Sequence, residues 1–355
     1  MRPLPRRPSA LPRRPSALLN SHVAAVRVRV PATSANLGPG FDALALALTL
    51  HDEVEVRICE SGLAIEISGE GADLAAAGEG HLVVRAMRAA FAVTGGQPPG
   101  IGLRCVNRIP HSRGLGSSAA AIVAGLLAAR ALSGPGPGKL PDDALLGLAS
   151  DIEGHPDNVA ACLAGGLTIA WSAAGGPRMV RLEPARSITP VVCVAPAPVR
   201  TDVARGLLPD VVPHQHAAAN AARSALLVAA LTRPGVRSAR EAGTFLARGD
   251  ASAEGTTFLL DATRDWLHQD YRASAMPETH DLVHRLRAAG LPAVVSGAGP
   301  SVLIFLGARG GPSYRHHLDS LGSIVRETGI AWHISSLDVE RQGARVLRPE
   351  PEPGC

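Results

Sequence analysis

Aromatic residues are scarce in this chain: five Phe, three Trp and two Tyr among 355 residues, 3% in all. That excludes an aromatic platform on which single-stranded nucleic acid could stack, and it makes the cores aliphatic. Cysteine is thin as well. Cys59, Cys105, Cys162, Cys193 and Cys355 show no paired spacing, which argues for reduced thiols in a cytoplasm and against a zinc site or disulfide framework. No apolar h-region for export follows the N-terminus, and the longest apolar run, near Ala119, is broken at Arg130 before it could span a bilayer. No glycine-rich loop ends in Gly-Lys-Ser/Thr, so a Walker A phosphate site is excluded. The body of the chain also lacks a charge excess. Residues 1–22 hold five arginines and no acid against a formal net charge of +4, which leaves the rest near −1. A nucleic-acid partner is therefore not expected, and neither is a membrane.

The basic segment repeats itself, Leu4-Pro-Arg-Arg-Pro-Ser-Ala10 being followed by Leu11-Pro-Arg-Arg-Pro-Ser-Ala17. Five prolines in the first 15 residues forbid the amphipathic helix of a transit peptide, so residues 1–22 read as a disordered tail. The proline-rich end, residues 346–355, reads the same way. Between the tails, 46% apolar and 19% charged residues describe a globular chain long enough for two domains, placed at residues 23–180 and 181–345.

Alternation predicts strands at Val26–Val30, ended by Pro31, and at Val54–Ile58 and Leu63–Ile67, the last two as a hairpin across Glu60–Gly62. Thr33–Asp42 reads as a turn-rich loop. Further strands are expected at Ile101–Val106, Gly166–Trp171, Val191–Ala195 and Ile330–Val339, and two more within Ala293–Phe305. Helical spacing marks His81–Val93, Ala119–Arg130, Pro141–Ile152, Gln215–Leu231 and Glu278–Ala289. Ser133–Gly138 reads as a linker, and Ala173–Ser187 as the boundary between halves.

The densest chemical signal is the run Pro110, His111, Ser112, Arg113, Gly114, Leu115, Gly116, Ser117, Ser118, Ala119, Ala120. Its glycines allow a tight turn close to a ligand, and its serines suit the first turn of a helix. The free N–H groups and dipole of such a helix favour an anion, a phosphate above all. Gly114 to Ala119 also fits the dinucleotide fingerprint, but Pro110–Arg113 separate it from the strand that should feed it directly.

The segment resembles the ATP loop of the GHMP kinases, P-x-x-x-G-L-G-S-S-A. Four other segments extend the resemblance and are most similar to the homoserine kinases of that family. Thr33-Ser-Ala-Asn36-Leu-Gly-Pro-Gly-Phe-Asp42 is similar to their N-terminal substrate signature. The resemblance implies that Asn36 helps hold an amino-acid carboxylate and Asp42 the amino group; taken alone, the segment reads as an Asx-rich loop. Glu153-Gly-His155-Pro-Asp157-Asn158 is similar to the segment that supplies a Mg²⁺ carboxylate. Glu153 and Ser118 are then the metal ligands, His155 and Asp157 lie around the substrate, and Asn158 stands beside the transferred phosphoryl group. Ala161 departs from the pattern, where a proline is often found. Thr201-Asp-Val-Ala-Arg205 and Asp270-Tyr-Arg272 are similar to the segments whose arginines grip the substrate carboxylate, which a planar guanidinium can bind in bidentate fashion. Val295–Ser301 matches the family's C-terminal glycine-rich motif.

The resemblance implies a two-domain α+β fold. Its N-terminal half would be like ribosomal protein S5 domain 2 and its C-terminal half ferredoxin-like. The implied reaction is ATP- and Mg²⁺-dependent phosphorylation of the L-homoserine hydroxyl, with Ser118, Glu153, Asp157 and Asn158 as catalytic residues. Another small-alcohol kinase and an inactive binding protein are the alternatives. Oligomeric state is left open, a homodimer included.

Overall fold

The computed structural model describes residues 25–134, 140–232 and 254–347; the expected N-terminal tail, residues 348–355 of the expected C-terminal one and residues 135–138 of the linker fall outside that range. In chain order the strands are β1 (Ala25–Asn36), β2 (Gly40–Cys59), β3 (Gly62–Gly69), β4 (Gly100–Asn107), β5 (Leu167–Ala173), β6 (Gly176–Leu182), β7 (Thr189–Val194), β8 (Ala293–Val295), β9 (Val302–Leu306), β10 (His333–Ser336) and β11 (Arg345–Leu347). The helices are α1 (Leu82–Thr94), α2 (Ser117–Leu132), α3 (Asp142–Glu153), α4 (Asp157–Ala164), α5 (Thr201–Arg205), α6 (His214–Thr232), α7 (Glu254–Ala262), α8 (Pro277–Ala288) and α9 (Pro312–Glu327).

Two sheets organise these elements. A seven-stranded sheet runs β11-β1-β2-β4-β3, with β5 and β6 added on the first stretch of β2. Val346 and Leu347, expected in the C-terminal tail, are strand residues paired with Val28 and Arg27. A four-stranded antiparallel sheet runs β10-β7-β9-β8. Both of its faces are covered. Val191, Val302 and Ile304 enter a core with α8 and α9, whereas Val192, Leu303 and Phe305 enter the larger core with α6. That double burial explains why β7 and β9 read as unbroken apolar runs.

Two expectations about the first strands need correction. Pro31 does not end the first strand; β1 continues to Asn36 through a register shift between Pro31 and Ala32, an irregularity that tolerates a missing N–H. The expected loop shrinks to Leu37–Pro39. The hairpin of β2 with β3 does not form, because β4 lies between them and pairs parallel with β3. Parallel pairing needs a crossover, which the 3-10 stretch Ala72–Gly80 and α1 supply. The span Ala173–Ser187, expected to separate the halves, carries a strand, β6, paired with β5 along its whole length.

Helix α2 is buried nearly all round, from Ala119 to Leu132, as its alanine-rich apolar sequence requires. It points its N-terminus toward the junction of the two sheets. That placement builds the site.

Candidate functional site

Two cavities meet at the start of α2, sharing Ser112, Ser117 and Ser118 in their walls. The larger, about 280 Å³, is mainly apolar and is lined by Leu74, Leu82, Val83, His111, Ala120 and Ala121 among others. The smaller, about 130 Å³, is crowded with polar groups: Asn36, Asp42, Glu153, His155, Asp157, Asn158, Thr201, Arg205 and Arg272. Residues from six segments far apart in sequence thus converge on one polar chamber.

No side chain caps α2, whose N-cap is Gly116, so the first N–H groups of the helix are left for a ligand. The loop is fixed by its neighbours. Gly114 O accepts from Ser296 Oγ at 2.6 Å, Ser296 Oγ in turn accepts from the Ser34 hydroxyl at 2.8 Å, and Leu115 O accepts from the Thr33 amide. Pro110, Arg113, Leu115 and Ala119 line neither cavity. The Arg113 guanidinium donates to the carbonyls of His111, Ala195 and Pro196 and so ties the loop to the end of β7. Leu115 and Ala119 are buried in the core.

Gly116 adopts a left-handed φ of 69°, and a Cβ there would stand 2.0 Å from Thr33 Oγ1 and 3.2 Å from Asn158 Oδ1. Gly116→Ala is therefore expected to cost about 1–3 kcal/mol of stability, through strain and overpacking, and to push the Thr33–Asn158 pair out of place. Melting and ADP release measured on the same variant test this; wild-type values in both would show that the loop has room to spare.

Four non-glycine residues among the described ones have a left-handed φ: Asn36 (68°), Leu37 (51°), Asp42 (53°) and Ser112 (55°). Three of them line the polar cavity, where local strain of this kind is held by surrounding contacts. Asn36 lines the polar cavity from within the fold. It is buried, its Nδ2 donates to Gly297 O at 2.7 Å, and its Oδ1 accepts from the Asp42 amide at 2.9 Å. Asn36 thereby fixes the backbone that presents Asp42. The Asp42 carboxylate pairs with Arg205 in bidentate fashion, at 2.7 and 3.2 Å.

Arg272 is the largest fully buried side chain among the described residues. Its Nε donates to Ala204 O, and its Nη1 reaches His268 Nδ1 and Gly297 O. Burial, reinforced by the charge of Arg205, pushes the guanidinium down to about 10, still well above neutrality. Its ring partner Phe41 lies 5.4 Å from the guanidinium carbon and stacks on His268. His268 Nε2 lies 2.8 Å from Gly38 O and donates to it, leaving Nδ1 to accept from Arg272.

Burial holds the His268 pKa below the ordinary imidazole value, against the opposing charge of Asp265. A group depressed in the fold contributes stability above its unfolded pKa, near 6.5, and loses it as pH falls below that value. The melting advantage of wild type over His268→Gln is expected to shrink between pH 7.5 and 5.5. A gap constant with pH would refute this.

Glu153, at the end of α3, accepts a very short hydrogen bond from Ser118 Oγ. Burial raises its carboxyl pKa above the usual range, with the Ser118 hydrogen bond pulling the other way. Asp157, buried at the start of α4, binds His155 Nδ1 at 2.5 Å and the Asn158 amide at 2.6 Å. Burial opposes the charged form of His155, but the hydrogen bond and charge of Asp157 prevail and raise its pKa. Asn158 Oδ1 accepts from Thr33 Oγ1 at 2.7 Å. Ser118 and Glu153 together offer hard oxygen donors at the phosphate end of the site, which suits a divalent cation such as Mg²⁺. Thr33, Ser34, Phe41, Thr201 and Ser296 shape the site from within the segments the sequence marked, though no role was assigned to them, and His268 lies outside every marked segment, its partners Gly38 and Arg272 leaving no local motif.

Residues 81–166 match the family model of the GHMP kinases N-terminal domain. The chain is 53% identical over 324 residues to the homoserine kinase of Streptomyces coelicolor, covering 91% of this chain and 95% of that one. It is 46% identical to the homoserine kinase of Clavibacter michiganensis, over 90% of this chain and 93% of the other. The crystal structure of homoserine kinase from Cytophaga hutchinsonii superposes with a TM-score of 0.72 at 24% identity, covering 92% of this chain and 99% of that one. A mevalonate kinase structure superposes with a TM-score of 0.58 at 12% identity, covering 89% of this chain and 99% of that one, which shows the shared fold.

Proposed function

The chain belongs to the homoserine kinases of the GHMP kinase family, with their two-domain α+β fold, and we propose that it transfers the γ-phosphoryl group of ATP to the hydroxyl of L-homoserine. The product is O-phospho-L-homoserine, on the route to threonine. One observation carries the reading: the uncapped start of α2 opens on one side to an apolar cavity and on the other to a chamber holding Asp42, Arg205 and Arg272. The apolar cavity suits the nucleoside, the loop amides the phosphates, and the polar chamber a small zwitterion. Scattered thiols, the four described ones all free, support a reducing cytoplasmic setting. No helix among the described residues is long and apolar enough to cross a membrane.

Phosphoryl transfer passes through a loose transition state, so positioning and charge neutralisation dominate. Ser118 and Glu153 would hold Mg²⁺, which supplies neutralisation of phosphate charge when bound. The amides of Ser117 and Ser118 cradle the phosphate oxygens. Arg272 and Arg205 take the substrate carboxylate, while Asp42, fixed by Asn36, takes the α-amino group. The Arg205–Asp42 pair then opens when homoserine supplies each with its own counter-charge.

Asn158, oriented by Thr33, reaches the reacting region as a neutral amide and has no basic lone pair to offer. Asp157 is already engaged by His155 and the Asn158 amide, so the hydroxyl proton is best passed to a γ-phosphate oxygen. A coupled ADP-release assay over homoserine, mevalonate, galactose and shikimate tests the assignment. Homoserine alone should give turnover at a high rate; equal turnover of mevalonate or galactose would leave only the kinase fold standing.

A further inference from the structure

Outside the kinase site, Asp270, His280 and His284 bring three ligand atoms within 4.8 Å of one another. His280 and His284 stand one turn apart on α8, so both rings project from the same helix face. Their Nε2 atoms are 3.0 Å apart. Asp270, on the turn that precedes α8, places its Oδ1 at 3.3 Å from the His280 Nε2 and 4.0 Å from that of His284. Ligands bound at about 2.0–2.2 Å in a tetrahedron lie roughly 3.3 Å apart, so two of the three spacings already suit one ion. Asp270 is exposed and free to swing the remaining distance.

We propose that Asp270, His280 and His284 form a surface site for a late first-row divalent ion, represented by Zn²⁺, with water completing the tetrahedron. Two imidazoles and one carboxylate are a borderline donor set, which favours such ions over the hard Mg²⁺. This separates the site from the Ser118–Glu153 oxygens, which suit the hard ion. Each imidazole can offer its Nε2 lone pair to the ion with its proton on Nδ1, the ion replacing the Nε2–Nε2 and Asp270 hydrogen bonds. Because Asp270 lies two residues before Arg272, an ion here clamps the turn that carries the buried guanidinium onto α8. The clamp is a stabilising device built on the surface above the substrate arginine.

The test is calorimetric titration of the full chain with ZnCl₂ in Mg²⁺-containing buffer without nucleotide, together with thermal melting. One saturable equivalent is expected, with melting raised by a few degrees when the metal is well above its Kd. His284→Ala and His280→Ala should each weaken binding at least tenfold and remove the metal-dependent melting shift, Asp270→Asn should weaken it less, and Glu153→Gln should leave it intact. His284 is largely exposed, so its variant should melt like wild type without metal. Unchanged Zn²⁺ affinity in His284→Ala, or no saturable binding by the wild type, would overturn the site.

Discussion

Glu153→Gln is expected to lower turnover by about two to three orders of magnitude while melting stays close to wild type. The scale is that of removing one preorganised group that neutralises transition-state charge. Glu153 sits in a desolvated position where burial already raises its pKa, and the phosphates of ATP would add negative charge beside it. A carboxylate can remain ionised there only if a cation compensates it, which is the physical case for Mg²⁺ at Ser118 and Glu153. Glutamine keeps the size and the hydrogen bond from Ser118 but removes the charge. Ser118→Ala should follow in the same direction with a smaller loss. Burial raises the carboxyl of the cation-free site, so protons compete with Mg²⁺ for Glu153, and the Mg²⁺ concentration needed for half-maximal turnover should rise as the pH falls. Steady-state ADP release with homoserine, measured beside melting, decides it. Near-normal turnover by Glu153→Gln would remove Glu153 from the site.

The site was legible in the sequence where chemistry demands unusual residues close together. Gly114 to Ser118 marks a tight turn into an uncapped helix start, because glycine admits the left-handed backbone there and serine suits the first turn. Helix α2 was legible for the same local reason, an apolar, alanine-rich run. What stayed hidden depends on contacts across the chain. The partnership of Thr33 with Asn158 spans 125 positions, and that of Asn36 with Gly297 spans 261, so neither has a sequence spacing to detect. The β2–β3 hairpin failed for a related cause. Adjacent alternating strands favour local pairing, and only the crossover through α1 reveals that β4 takes the place between them. Pro31 misled because its missing N–H matters only in a regular ladder, and the register shift at Pro31/Ala32 makes the ladder irregular there. Asn36 was legible as a candidate site residue, but not as the buried frame that presents the more exposed Asp42.

That division between frame and contact sets the expected result for substrate recognition. Arg205→Leu should lower kcat/KM for homoserine at least about tenfold while ATP affinity changes little, since a charge-assisted contact contributes about 1.5–3 kcal/mol. Arg205 is half-buried and pairs with Asp42 through both nitrogens, so leucine also strands the Asp42 carboxylate in the chamber. Arg205→Lys should recover only part of the loss, because an ammonium cannot make the planar two-point contact. Asp42→Ala should weaken homoserine and leave mevalonate, which carries a carboxylate but no α-amino group, nearly unaffected. The double variant then separates the two roles. If Arg205 acts on the substrate carboxylate itself, Asp42→Ala/Arg205→Leu loses more than either single variant. If Arg205 serves only to neutralise Asp42, adding Arg205→Leu to Asp42→Ala costs nothing further, and the carboxylate contact falls to Arg272 alone.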